Sequence, residues 1–113
     1  MVTPRETHDT VICTYRPKPE REAEFRRLLE RHWPALRELG LVRPSAPLHF
    51  RGEEEGRPFY VEIFEWRDAD AVEAAHQSPE IMRLWEPMET LCEERDGRPA
   101  MSFPHVERLA LVR

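Results

Sequence analysis

Residues 59–66 read Phe59-Tyr60-Val61-Glu62-Ile63-Phe64-Glu65-Trp66, the most strongly strand-forming stretch of the chain. Side chains alternate across a strand, so Phe59, Val61 and Ile63 share one face while Tyr60, Glu62, Phe64 and Trp66 share the other. Both faces are largely apolar, and a strand of that kind needs cover on both sides. One layer of helices drawn from a chain of 113 residues covers only one side of a sheet. The other side is expected to meet a second copy, which makes the protein a homodimer.

Upstream of this strand, Leu48 and Phe50 alternate with His49 and Arg51, predicting a strand over about Pro47–Gly52. The polar run Glu53–Gly56 between the two reads as a solvated turn, so they form an antiparallel hairpin. Further upstream, Val11–Tyr15 (VICTY) is a first strand ended by Pro17. From Pro19 on, Ala23, Phe25, Leu28, Leu29, His32, Leu36 and Leu39 recur at helical spacing, with Gly40 closing the helix and Pro34 expected to bend it.

Downstream, Asp68 supplies a cap carboxylate for a short helix through Ala75 and His76. Ser78-Pro79 then starts a second one with Ile81, Leu84, Trp85, Met88 and Cys92 on one face. Met101–Leu111 is a last alternating segment, with Pro104 tolerated at an edge or a bulge. The order β-α-β-β-α-β is the ferredoxin-like split β-α-β arrangement, an α+β fold with a four-stranded antiparallel sheet and helices on one face.

Length and charge bound the function. The chain is short enough for a single domain over residues 1–113, with its core at about 9–111. With 22 acidic against 17 basic residues, its charge of −5 gives no electrostatic basis for binding nucleic acid. No apolar run is long enough for a membrane helix, and the opening MVTPRETHDT lacks the apolar core of a signal peptide, so a cytoplasmic protein is expected. Cys13 and Cys92 are far apart and read as small buried hydrophobes. Phosphate-binding glycine loops, Ser-His-Asp order and His-rich metal spacing are all missing, so neither a nucleotide nor a metal cofactor is expected.

The strand ending Val61-Glu62-Ile63-Phe64-Glu65-Trp66, the cap Asp68, the helix Asp70–Ala75 and His76 followed by Ser78 resemble the antibiotic biosynthesis monooxygenase-like family. Its members belong to the dimeric α+β barrel superfamily. The resemblance spans roughly residues 11–92 and implies two subunits packed sheet to sheet, with a pocket in each between sheet and helices. Some members oxygenate aromatic polyketides with neither metal nor flavin. Others degrade haem, and these resemble one another in a strand-one Asn, a Trp and an iron-ligating His about ten residues later. The resemblance puts the place of that His at about Trp85, which has no iron-ligating atom, and the sequence contains no Asn, so no haem cofactor is expected; the oxygenases' Asn is missing as well.

The candidate site residues each have a packing alternative. His32, centred in the first helix's apolar stripe, is either a pocket base or a core histidine with one hydrogen bond. His76 is either a base or a partner for the helix C-terminal dipole. Trp66 and Trp85 either line a cavity for a small planar organic ligand or fill the core. Tyr60 or Arg51 would hold a developing oxyanion, and Glu62 either meets the pocket or pairs across the sheet with Arg51 or His49. Two functions follow: a cofactor-independent monooxygenase or isomerase acting on an aromatic, polyketide-like molecule, or a non-catalytic interaction or regulatory dimer whose pocket is filled by its own side chains.

Overall fold

The computed structural model describes residues 9–112; residues 1–8, on which the expectation about a signal peptide falls, and Arg113 lie outside them. The elements are β1 (Thr10–Tyr15), α1 (Glu22–Glu38), β2 (Leu48–Glu54), β3 (Arg57–Glu65), α2 (Ala71–His76), α3 (Pro79–Thr90), β4 (Met101–Ser102) and β5 (His105–Val106). A single 3-10 turn at Pro19–Arg21 leads into α1. The strands form one antiparallel sheet in the order β2-β3-β1-β4, with β5 also on β1, and this is the expected ferredoxin-like α+β fold.

Five strands stand where four are expected, and proline chemistry accounts for the extra one. Met101 pairs with Tyr15 and Ser102 with Thr14, and the same register continues at His105 with Val11 and Val106 with Thr10. Opposite Ile12 sits Pro104, whose carbonyl accepts the Ile12 amide at 3.0 Å but which has no N–H to return. The last strand is thus one edge strand interrupted at a proline, without a bulge. Pairing stops at Val106 rather than reaching Leu111, and Leu109, Leu111 and Val112 are exposed.

The hairpin is tighter than the polar run suggests. Glu54 still pairs with Arg57, leaving Glu55 and Gly56 as a two-residue turn with φ of 52° and 80°. Two positive φ values mark the turn type whose twist matches that of the flanking strands. Glu54 is also not solvated. Its carboxylate accepts from Arg16 Nε at 2.9 Å and from Nη1 of Arg98 at 3.1 Å, so this corner is held by an ion cluster.

Helix ends follow the local code. Gly40, at φ 72°, lets its own amide reach Arg37 O and the Leu41 amide reach Leu36 O, both at 3.0 Å. Asp68 Oδ1 accepts from the amides of Asp70 and Ala71, each at 3.1 Å. Ser78 Oγ accepts from Ile81 N at 3.3 Å, with Pro79 as the first helical residue. α1 continues through Pro34 as a helix to Glu38.

Burial alternates along β3, with Pro58, Tyr60, Glu62 and Phe64 buried under the helices and Phe59, Val61 and Ile63 only partly covered. β1 does the same with Val11, Cys13 and Tyr15. Those residues pack with Phe25, Leu29 and Leu36 of α1 and Ile81, Leu84 and Met88 of α3. On the opposite face, Leu48 and Phe50 of β2 lie across from Ile63 and Val61 and are 55% and 54% exposed. The sheet therefore has one covered face and one bare apolar face, as the doubly apolar strand requires. No helix among the described residues is long and apolar enough to cross a membrane.

Candidate functional site

A cavity of about 270 Å³ lies between the covered face of the sheet and the helices. Its floor is Val11 and Cys13 of β1 with Phe64 of β3 and Trp66, which follows that strand. His32 enters from α1, Val72 and His76 from α2, and Met82, Trp85, Glu86 and Glu89 from α3, while Met101, Phe103 and His105 close the edge-strand side. The volume is close to the lower end of the range for small-molecule sites, roughly 300–1,000 Å³. Phe64, Trp66, Trp85 and Phe103 give it aromatic walls between aliphatic and polar side chains, and Phe64 meets Trp66 edge-on at 5.2 Å between ring centres.

His32, Trp66, His76 and Trp85 all line this cavity. Tyr60 and Arg51 do not. The β2–β3 register pairs them with each other near the hairpin end, over the first turn of α1. There Tyr60 Oη–H and Arg51 Nε–H both donate to Glu22 Oε2 at 2.6 Å, beside a separate hollow of about 230 Å³. The expectation that Tyr60 or Arg51 holds an oxyanion in the cavity is corrected by that placement: both already serve the Glu22 carboxylate.

Glu62 is fully buried and outside the cavity lining, yet it organises one wall. Oε1 accepts from Tyr15 Oη–H at 2.7 Å and from His32 Nδ1 at 2.9 Å, and Oε2 accepts from His49 Nε2 at 2.9 Å. Of the two cross-strand partners weighed, the register selects His49 and not Arg51. Burial alone would raise the Glu62 pKa, but the hydrogen bonds from His32, His49 and Tyr15, with the charge an imidazole can carry, outweigh it and hold the group at about 2. The same burial, together with the Glu62 charge, pushes the Cys13 thiol well above its ordinary range, so that cavity residue is no nucleophile.

Of the three histidines that line the cavity, His32 and His76 are in different states. His32 is 2% exposed and has both ring nitrogens engaged, because Trp85 Nε1–H donates to its Nε2 at 2.8 Å. His76 donates Nδ1–H to the Val72 carbonyl at 2.9 Å. A carbonyl only accepts, so the neutral His76 ring carries its lone pair on Nε2. Its ring also meets Trp85 edge-on at 4.8 Å. Trp66 Nε1 is buried and has no hydrogen-bond partner among the described residues, although the residue lines the cavity.

Among the lining residues missed from sequence are His105, Phe103, Glu86 and Glu89. Period-two alternation from Met101 puts Phe103 and His105 on its face, so that signal was present. Glu86 and Glu89 flank Trp85 on α3, and their carboxylates make the cavity unfavourable for an anionic ligand.

No protein-family model and no curated protein matches the sequence. Solved structures do. An antibiotic biosynthesis monooxygenase superposes with a TM-score of 0.68 at 18% identity, covering 89% of this chain and 98% of its own. A Pseudomonas aeruginosa protein, PA3566, gives 0.66 at 21% identity, covering 89% and 93%. SnoaB, a cofactor-independent oxygenase from Streptomyces nogalater, gives 0.65 at 18% identity, covering 92% and 96%. The chain has the fold of the antibiotic biosynthesis monooxygenase-like proteins, over nearly its whole length.

Proposed function

We propose that this protein is a homodimeric, cofactor-independent monooxygenase acting on a small, planar, enolisable aromatic molecule. The observation that carries the reading is the unpaired Nε2 lone pair of His76 beside the aromatic walls of the cavity. A base there can take a proton from carbon next to a carbonyl, giving a carbanion stabilised by the ring system. That carbanion supplies the electrons that reduce dioxygen as the new C–O bond forms. For anthrone the balance is one ketone plus one dioxygen giving one quinone plus one water.

The open volume supports this reading over a pocket filled by its own side chains. SnoaB, a cofactor-independent oxygenase, has the same fold and supports the chemistry by likeness. Support for the dimer comes from the bare face of Leu48, Phe50, Val61 and Ile63.

Calorimetric titration with anthrone under argon tests the ligand. The wild type is expected to bind saturably, and Trp85→Ala, which removes an aromatic wall, to bind about tenfold more weakly. Absent binding, or identical curves for the two proteins, would remove the cavity from the account. Haem provides a control. The expectation that Trp85 stands at the place of the iron-ligating His is corrected here: the residue ten positions after Trp66 is His76, and both line the cavity, while the sequence contains no Asn. A haem absorption band that appears with the wild type and is lost in His76→Ala would replace the oxygenase reading by a haem-binding one.

A further inference from the structure

His32 has a hydrogen-bonding pattern that fixes its electronic state. The ionised Glu62 carboxylate accepts only, so His32 Nδ1 bears the proton at that 2.9 Å contact. An indole N–H donates only, so the nitrogen receiving it at 2.8 Å, His32 Nε2, bears a lone pair. This is the arrangement of a histidine base backed by a carboxylate: one nitrogen is anchored to the anion and the other is directed outward. What meets the outward nitrogen is a side chain of the protein itself.

We propose that Trp85 is a latch over a latent His32–Glu62 base, and that the latch opens when a ligand bearing an acidic O–H or N–H takes the place of the indole at His32 Nε2. The proposal rests on reading the cavity as a ligand site, although the latch can be tested without a ligand. Three observations support it. Trp85 is only partly buried and forms part of the cavity wall, whereas His32 behind it is 2% exposed. Glu62 is fully buried, and Tyr15 and His49 satisfy its remaining acceptor positions, so it stays ionised and faces any imidazolium formed at His32. Trp85 also meets the edge of the His76 ring, at 4.8 Å, on the short helix α2.

The chemical step is a proton transfer. The ligand's X–H bond breaks with its electron pair left on X, and the proton forms a bond to His32 Nε2. The imidazolium keeps its Nδ1–H on Glu62, whose negative charge balances the new positive one. When the anion is reprotonated or its product leaves, Nε2 returns to its lone-pair state and accepts the indole again.

Trp85→Phe keeps an aromatic wall and removes the donor, so it unmasks the base without emptying the site. Treating the full-length protein with diethyl pyrocarbonate and reading each histidine by peptide mass spectrometry measures how open Nε2 is. In the wild type His32 is expected to react far more slowly than the exposed His105. In Trp85→Phe its rate is expected to rise on the order of tenfold, the factor one neutral hydrogen bond is worth. An unchanged His32 rate in the variant, or a wild-type rate equal to that of His105, would overturn the latch.

Nitrogen-15 NMR of the wild type gives a second reading that needs no variant. Nε2 of His32, which accepts the indole N–H, is expected to carry a lone pair, and a protonated Nε2 there contradicts the proposal. If anthrone fails to bind while Trp85→Phe unmasks His32, the ligand reading falls, and with it the opening of the latch by a ligand, while the masking of His32 Nε2 by Trp85 stands.

Discussion

Glu62→Gln is expected to cost the fold roughly 1.5–3 kcal/mol for each buried hydrogen bond to the charged carboxylate that an amide cannot accept. The carboxylate receives Tyr15, His32 and His49 with no exposure to solvent. An amide has a single acceptor oxygen, and its NH2 would face donors. The pH dependence has a definite sign. The folded group titrates at about 2 against an ordinary value of 4.5, so its contribution is fully present above about 4.5 and is lost as pH falls toward 2. Urea midpoints at pH 7 and pH 3 should show the wild type losing stability in acid, with the Gln variant weaker at pH 7 and flatter between the two. Equal midpoints for both proteins at pH 7 would mean that Glu62 is not the anchor of this wall.

The other large effect concerns the sheet face that no helix covers. Phe50→Glu puts a carboxylate in the middle of it, beside Leu48 and opposite Val61. Taking that charge into an apolar interface costs several kcal/mol, so the dimer should weaken by about 10²–10³-fold or more. Sedimentation at micromolar concentration is expected to show a wild-type dimer and a variant monomer with an unchanged circular dichroism spectrum. A wild type that remains monomeric, or a variant as dimeric as the wild type, would remove the argument that the bare face is an interface.

Local chemistry made much of the fold legible. Alternation in residues 59–66 gave both faces of β3, and the signals at Gly40, Asp68 and Ser78 act within a few residues of themselves. Glu54 was misread because the partners that shield it, Arg16 and Arg98, arrive from distant parts of the chain. Register decided the site. Pairing Arg51 with Tyr60 carried both toward Glu22, and pairing His49 with Glu62 gave the carboxylate a second imidazole.

The contact between His32 and Trp85 joins residues 53 positions apart on α1 and α3, and no short-range pattern encodes how those helices pack. The sequence could propose that His32 and Trp85 face inward. It could not show that one caps the other. His105 differs, since counting alternate residues from Met101 would have found it; treating Pro104 as a bulge or an edge left that face unread.

Oxygen uptake with anthrone tests the central claim most directly, measured on the wild type and on the variant carrying both His32→Phe and His76→Phe, in buffer stripped of metal and flavin. The account predicts steady uptake by the wild type and a loss of about 10²–10⁴-fold in the double variant, the usual contribution of a positioned acid–base group. Uptake by the double variant at the wild-type rate would contradict it.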